Sequence, residues 1–203
     1  VFNGVHNGIE PTLYTAWFGV LAYTLQIYFD FSGYSDMAVG LSLCLGVRLP
    51  LNFNSPYKST NIIEFWRRWH ISLSTFLRDY LYVPLGGNRK GPARRYINLF
   101  LTMLLGGLWH GAAWTFVIWG ALHGLGLCAG VLWRRTGGHM PALLGWALTM
   151  SFVVLTWVLF RATSFEAALG LYKGLFGQAP MGSLFRWRGL AVPSAIALIG
   201  PSA

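Results

Sequence analysis

The stretch Ile97–Trp133 reads INLFLTMLLGGLWHGAAWTFVIWGALHGLGLCAGVLW, and its 37 residues include no Asp, Glu, Lys or Arg. A transmembrane helix needs about 20 consecutive apolar residues. The stretch is therefore long for one crossing and tight for two. Gly106 and Gly107 offer a place for a break between two helices. With either number of crossings, we expect this part of the chain to lie in a membrane.

Other apolar segments on both sides of this stretch extend the same interpretation. Leu13–Phe29 and Leu143–Phe160 each predict a further crossing. Met37–Val47 is too short to cross alone, and Gly33 predicts a break before it. We expect a re-entrant or broken helix there, with its irregular backbone buried in protein. The predicted fold class is all-α: a polytopic transmembrane protein with an amphipathic or re-entrant helical section.

Composition and charge exclude a soluble nucleic-acid binder. Of the 203 residues, 55% are hydrophobic and 10% are charged, whereas a soluble domain has about 25% charged residues. The net charge is +9, and basic residues cluster between apolar runs, at 89–95 and 134–135. The positive-inside rule places such clusters on the cytoplasmic side. We therefore predict that the loop Gly86–Arg95 is cytoplasmic and that the lipid bilayer, with no nucleic acid, is the partner.

The ends of the chain predict a fragment. The sequence begins at Val1 without Met or a signal peptide, and its last apolar stretch, Gly189–Gly200, is too short to cross a bilayer. We expect residues 1–203 to form a single membrane-embedded domain that is incomplete.

A polar section between Arg48 and Tyr96 predicts a second kind of helix. Ser-Thr-Asn at 59–61 offers N-caps, and Ile62–Leu81 is expected to be helical. At 100° per residue, the bulky apolar side chains share one face: Ile62, Phe65, Trp66, Trp69, Leu73, Phe76, Leu77 and Tyr80. This pattern is typical of a helix that lies along a membrane or docks on a bundle. His70 would lie about 60° from the centre of the apolar face.

Histidines are the leading candidates for chemistry. Ionisable residues inside a membrane are costly and are functional candidates by default, and histidine exchanges protons near neutral pH. His110, in Leu-Trp-His-Gly, and His70, in Arg-Trp-His, are the candidate catalytic residues. We interpret His123 as structural, and His6 and His139 as loop residues.

Other catalytic chemistries are absent from the sequence. It has no GxSxG elbow, HExxH motif or P-loop. Asp30 and Asp36 would lie on different faces of an unbroken helix, so we expect them to cap or turn the chain. Cys44 and Cys128 predict neither a disulfide nor a zinc site and are expected to be buried, inert thiols. No metal site is expected.

Four ordered motifs resemble the membrane-bound O-acyltransferase family. They are Tyr28–Ala38 (YFDFSGYSDMA), Phe65–Ser74 (FWRRWHISLS), Arg78–Gly87 (RDYLYVPLGG) and Leu108–Gly111 (LWHG). The resemblance covers Tyr23 to about Leu127, roughly half of the chain. It implies a multi-helix protein with a tunnel through the bilayer, of which the N-terminal spans are missing here. It also implies that His110 is catalytic and that His70 lies at the same site.

The function that this resemblance implies is acyl transfer. The acyl group, expected to be acetyl, comes from a cytoplasmic thioester such as acetyl-CoA or an acyl carrier, with no tightly bound cofactor. The expected product is an O-acetylated exopolysaccharide such as alginate outside a bacterial inner membrane. Periplasmic acetyltransferase proteins and the polysaccharide are the expected partners. D-alanyl transfer to teichoic acids is an alternative within the family, and a proton-coupled transporter using His70 and His110 is an alternative outside it.

Overall fold

The computed structural model of the protein describes residues 1–6 and 11–178, and every regular element in that part of the chain is a helix. The helices are α1 (Phe2–His6), α2 (Leu13–Cys44), α3 (Ile62–Arg68), α4 (Ile71–Leu77), α5 (Gly91–His110), α6 (Trp114–Arg135), α7 (Ala142–Arg161) and α8 (Phe165–Leu175). A 3₁₀ turn at Pro56–Lys58 precedes α3, and a π-helical turn at Arg78–Tyr82 follows α4. The all-α prediction is confirmed for these residues. The predicted apolar segment Gly189–Gly200 lies outside them.

Helix α2 is one continuous helix of 32 residues, about 48 Å long at 1.5 Å per residue. The predicted break at Gly33 and the separate re-entrant segment after it are therefore wrong. Gly33 is exposed, and a Cβ added to it would meet nothing within 4 Å, so the helix tolerates glycine here without a bend. Asp30 and Asp36 lie inside α2 and are exposed, which corrects their assignment to caps or turns. Cys44 is also exposed rather than buried.

Helices α5 and α6 form a close antiparallel pair, and this resolves the stretch from Ile97 to Trp133 into two helices. The chain turns at residues 111–113, not at Gly106 and Gly107. Gly107 lies in the helix contact instead, since an added Cβ would stand 2.4 Å from the carbonyl oxygen of Phe116. At Gly120 an added Cβ would stand 2.5 Å from the carbonyl oxygen of Met103. Small residues let helix backbones approach this closely.

Two helices in the described part of the chain, α6 and α7, are long and apolar enough to cross a membrane, with mean hydropathy of 1.7 and 2.0. Helix α7 matches the predicted segment Leu143–Phe160. Helix α8 follows it and is not predicted from the sequence, although Ser164 caps it by accepting a hydrogen bond from the Ala167 backbone N–H at 3.1 Å.

The predicted amphipathic helix is correct only in its first half. Asn61 caps α3 by accepting from the Glu64 backbone N–H at 2.9 Å. The Glu64 carboxylate accepts in turn from the Thr60 backbone N–H at 2.9 Å, and this bond lowers the pKa of Glu64. The helix then ends at Arg68, and His70 adopts a left-handed conformation with φ 44° and ψ 58°. The prediction of one helix over Ile62–Leu81 is therefore wrong.

Aromatic side chains fill the core between these elements. Phe65 and Trp69 are buried and stack with ring centroids 5.7 Å apart. Trp69 contacts Trp157 of α7 at 5.1 Å, and Trp157 stacks on Trp119 of α6 at 6.0 Å. The predicted inward face is thus confirmed through Trp69. Beyond the break, Phe76 and Tyr80 are 55% and 71% exposed, because the new helix direction turns them outward.

Candidate active site

His110 is the last residue of α5, and its imidazole lies in an aromatic setting. The ring is half-buried, with centroids 5.4 Å from Trp119 and 5.1 Å from Phe160, both in edge-to-face geometry. Gly111 continues the chain in an extended conformation. An added Cβ at Gly111 would stand 2.7 Å from the Phe116 ring. Within the part of the chain that the structure describes, neither ring nitrogen of His110 has a hydrogen-bond partner, so both remain open to a substrate.

His70 lies at the junction of α3 and α4, outside the two helices that qualify as membrane spans. Its ring packs edge-to-face on Phe31 of α2, with centroids 4.7 Å apart. Its Nδ1 lies 3.3 Å from the side-chain oxygen of Asn52. The left-handed backbone is uncommon for a residue with a Cβ and marks positions held by surrounding structure. Asn52 holds this one, since its backbone carbonyl accepts from the Ile71 N–H at 2.9 Å.

The fold brings His70 and His110 together, although they come from separate elements 40 residues apart in sequence. Burial, followed by repulsion from the nearby His110 imidazole, lowers the pKa of His70 to about 4. His70 is therefore neutral at physiological pH and offers one N–H and one lone pair. The sequence predicted both residues for one site, and the structure places them near each other.

The remaining histidines have other environments. His123 is 1% exposed; its Nδ1 accepts from Trp66 Nε1 at 3.2 Å and its Nε2 lies 3.0 Å from the Thr156 hydroxyl. These contacts are consistent with the predicted structural role. His139 is an exposed loop residue, as predicted, whereas His6 is the last residue of α1 rather than part of a loop. Among the described residues, no group of three or more His, Cys, Asp or Glu could hold a metal.

A cavity of about 420 Å³ that is lined by five arginines is the feature that sequence reasoning missed. The arginines are Arg67, Arg78, Arg95, Arg134 and Arg135, and the apolar lining includes Trp66, Leu77, Met103 and Leu127. The antiparallel packing of α5 and α6 creates this cluster, because it joins the basic residues at the start of α5 to those at the end of α6. Sequence inspection finds both groups as separate clusters, but their meeting depends on helix pairing.

Four of the five arginines of this cavity have no carboxylate partner within the described residues. Arg78 pairs with Asp79 at 2.7 Å, and Arg134 donates to the Asn61 side chain at 3.0 Å. Within the described residues, no carboxylate pairs with Arg67, Arg95 or Arg135, and the buried Nε of Arg95 has no hydrogen-bond partner. An anion with several oxygens suits such a set, because guanidinium groups bind phosphate in a bidentate manner.

Sequence comparisons identify the family that the chain resembles. A sequence model of the membrane-bound O-acyltransferase family matches residues 9–169. Over 168 residues, which are 82% of this chain and 35% of the relative, the chain is 58% identical to a probable alginate O-acetylase of Pseudomonas putida. It is 53% identical over 178 residues (86% of this chain, 34% of the relative) to a peptidoglycan O-acetyltransferase of Helicobacter pylori. It is 34% identical over 161 residues (71% of this chain, 40% of the relative) to a teichoic acid D-alanyltransferase of Bacillus subtilis. The chain therefore spans about a third of the length of the first two relatives.

Proposed function

The chain belongs to the membrane-bound O-acyltransferase family, and we propose that it carries the histidine site of an enzyme that moves an acyl group from a thioester to a hydroxyl. The observation that supports this most directly is the pairing of His70 and His110. Two neutral imidazoles with open nitrogens, half-buried among aromatic rings, suit proton transfer in a site that excludes water.

His110 is the general base in this proposal. It takes the proton of the acceptor hydroxyl as the hydroxyl oxygen attacks the thioester carbonyl carbon. The C–S bond then breaks, the sulfur leaves as a thiolate, and the proton on His110 passes to that thiolate. One ester and one thiol are formed from one alcohol and one thioester, so no other co-reactant is needed.

The arginine-lined cavity is where we place the anionic end of the thioester donor. Arg95 in the first turns of α5 and His110 at its end are fifteen residues apart, a rise of about 22 Å. A donor with phosphates at one end and a thioester at the other could bridge that distance. Acetyl-CoA and the phosphopantetheine of an acyl carrier both have this form. The donor acts as a co-substrate.

The acyl group and acceptor follow from the relatives. Two relatives with more than half of their aligned residues identical are named for O-acetylation of alginate or peptidoglycan. The relative named for D-alanyl transfer to teichoic acid is less similar. We therefore propose acetyl transfer toward an exopolysaccharide such as alginate, with periplasmic acetyltransferase proteins as partners. D-alanyl transfer remains the second candidate, and labelled acetyl and D-alanyl thioesters in competition would separate the two.

The proposed location is a bacterial inner membrane, which the chain crosses several times. Arg94 and Arg95 lie in the first turns of α5, and Arg134 and Arg135 end α6, so the positive charge gathers at one end of the pair. We place this end, and the turn before α5, in the cytoplasm. In a background without Cys44 and Cys128, Arg89→Cys should resist an impermeant thiol reagent in intact cells and react after permeabilisation. Reaction in intact cells would reverse the orientation.

The decisive experiment compares His110→Gln with His123→Gln in the full-length protein in membrane vesicles. Acyl transfer from a labelled thioester and release of free thiol are measured per folded molecule. Gln keeps a polar side chain but takes no proton at neutral pH. We expect His110→Gln to lower the rate of acyl transfer per folded molecule by about 10²–10⁴-fold. His123→Gln should keep the wild-type rate per folded molecule. Near-normal transfer by His110→Gln would exclude it as the base, and histidine-dependent proton flux without thioester cleavage would favour a transporter.

A further inference from the structure

Asn52 binds the start of α4 through two different oxygens. Its backbone carbonyl accepts from the Ile71 N–H at 2.9 Å. Its side-chain Oδ1 accepts from the backbone N–H of Ser72 at 3.1 Å and from the Ser72 hydroxyl at 2.6 Å. The same Oδ1 lies 3.3 Å from Nδ1 of His70. Asn52, 20 residues before Ser72, thus accepts from backbone N–H groups in the first turn of α4, as the side chain of an N-cap residue does. Its side chain also contacts the imidazole.

These contacts determine which nitrogen of His70 carries the proton. A backbone N–H can only donate, so the Asn52 atom that faces Ser72 is the carbonyl oxygen and not the amide nitrogen. That oxygen can only accept, so the hydrogen bond at 3.3 Å requires the proton of His70 to be on Nδ1. A neutral imidazole has a single N–H. Nε2 therefore keeps its lone pair, and within the described residues it has no hydrogen-bond partner.

We propose that Asn52 is a positioning residue that holds His70 as the Nδ1–H tautomer, so that Nε2 binds a hydroxyl of the acceptor and does not polarise the thioester carbonyl. Polarising a carbonyl needs an N–H donor, which Nε2 lacks in this tautomer. This inference rests on the proposed acyl transfer and refines it. It assigns His70 to the acceptor side of the reaction.

The assignment also limits the acceptor. The reacting hydroxyl has one proton, which passes to His110 in the proposed mechanism. If Nε2 of His70 accepts a hydrogen bond from the acceptor, that bond must come from a second O–H group beside the reacting hydroxyl. Sugars with neighbouring hydroxyl groups provide such a donor, so the paired sites suit a polyhydroxylated acceptor better than an alcohol with a single hydroxyl.

The first test reads the tautomer directly and does not depend on activity. Solid-state NMR of full-length protein labelled with ¹⁵N-histidine, reconstituted in lipid, distinguishes protonated from unprotonated ring nitrogens, and a His70→Gln spectrum identifies the His70 signals. We expect a protonated Nδ1 and an unprotonated Nε2. Asn52→Asp should keep that pattern because a carboxylate oxygen also accepts, whereas Asn52→Leu should shift protons to Nε2. A wild-type His70 protonated on Nε2 would overturn the proposal.

The second test separates the acceptor from the donor by kinetics. Asn52→Leu should lower kcat/KM for the polysaccharide by about 10–100-fold, by analogy with the partners that orient metal-bound histidines, while the KM for the thioester stays unchanged. Asn52→Asp should restore most of the loss. Ser72→Ala is the matched control, since it removes a bond to the same oxygen but leaves the one to His70, and it should transfer normally.

The outcomes separate this inference from the proposed function. If the wild-type protein transfers no acyl group, the proposed function fails while the NMR result still decides the tautomer. If the wild type is active and Asn52→Leu raises the donor KM instead, or if Ser72→Ala and Asn52→Leu are equally impaired, His70 is not an acceptor-side residue positioned by Asn52. Should Asn52→Leu not fold, the wild-type tautomer and the Asn52→Asp kinetics carry the test.

Discussion

Replacing His70 by glycine and by alanine tests whether the helix breaks at this residue. Both variants remove the imidazole, so both lose the contacts with Asn52 and Phe31, and those losses cancel when the two are compared. What remains is the backbone at φ 44° and ψ 58°. An L-residue in this left-handed region costs about 1–2 kcal/mol. Glycine avoids that cost but loses about 0.5–1 kcal/mol to its greater freedom in the unfolded chain.

We therefore expect His70→Gly to be more stable than His70→Ala by about 1 kcal/mol, the balance of the left-handed penalty and the glycine entropy. A continuous helix predicts the opposite, with glycine about 1 kcal/mol less stable than alanine. The left-handed junction and the continuous helix therefore predict stability differences between the two variants that are about 2 kcal/mol apart, or more than tenfold in the folding equilibrium. Neither variant should transfer acyl groups normally.

The assay is equilibrium unfolding of the full-length protein in detergent, with two pairs of controls. Ser55 is also left-handed, with φ 46°, so Ser55→Gly should exceed Ser55→Ala in stability. Thr75 lies inside α4, so Thr75→Ala should exceed Thr75→Gly by about 1 kcal/mol. If both controls behave in this way and His70→Ala is still the more stable variant at position 70, the chain is helical through His70 and the described junction is wrong.

Three further outcomes are expected from the packing. Trp69→Glu should sharply lower the amount of folded protein recovered by size-exclusion chromatography, because it places a charge where the side chain is 4% exposed. Thr75→Glu, at an exposed position, should have a mild effect. Equal losses in the two variants would show that the inward face is misassigned. Gly120→Ala should cost about 1–3 kcal/mol in thermal unfolding, since the new Cβ meets a backbone carbonyl at 2.5 Å. Gly126→Ala should cost less, because its Cβ would meet only side-chain atoms, the end of the Phe152 ring at 3.2 Å and Ile62 Cγ1 at 3.7 Å. The reverse order would contradict the helix spacing. His123→Ala should reduce folded protein because it leaves the partly buried Trp66 Nε1 without its acceptor, at about 1–3 kcal/mol, while the Thr156 hydroxyl keeps its bond to the Val153 carbonyl. Transfer per folded molecule should not change, and a selective loss of transfer would instead place His123 in the chemistry.

Local sequence patterns predicted the parts of the fold that local interactions determine. The cap at Asn61, the inward face through Trp69 and the apolar helix α7 all follow from residues within a few positions of one another. Helix α2 shows the limit of such rules. Gly33 predicts a break by these rules, yet glycine only lowers helix stability by about 1 kcal/mol relative to alanine, and the neighbouring residues keep the helix continuous.

Features that depend on distant residues could not be predicted from the sequence. The junction at His70 is held by Asn52, 18 residues upstream, and nothing in the periodicity of Ile62–Leu81 indicates that partner. The arginine-lined cavity has the same cause, because Arg95 and Arg134 meet only when α5 and α6 pair. The candidate histidines were predicted from their cost in an apolar setting and from the family motifs, and that reasoning does not depend on helix register. The residues of the candidate site were therefore easier to propose from the sequence than the geometry that surrounds them.

The break at His70 and the end of α5 at His110 have a common physical consequence. Inside a regular helix, a side chain is surrounded by the turns on either side of it, and neighbouring residues cover part of its surface. At a helix end or at a left-handed junction, one flanking turn is absent, so an imidazole can be half-buried and still keep a nitrogen open. His123, which lies inside α6, shows the contrast, because both its ring nitrogens are engaged by neighbouring helices. Placing two histidines where helices stop therefore gives this chain two imidazoles with an open nitrogen in an apolar environment.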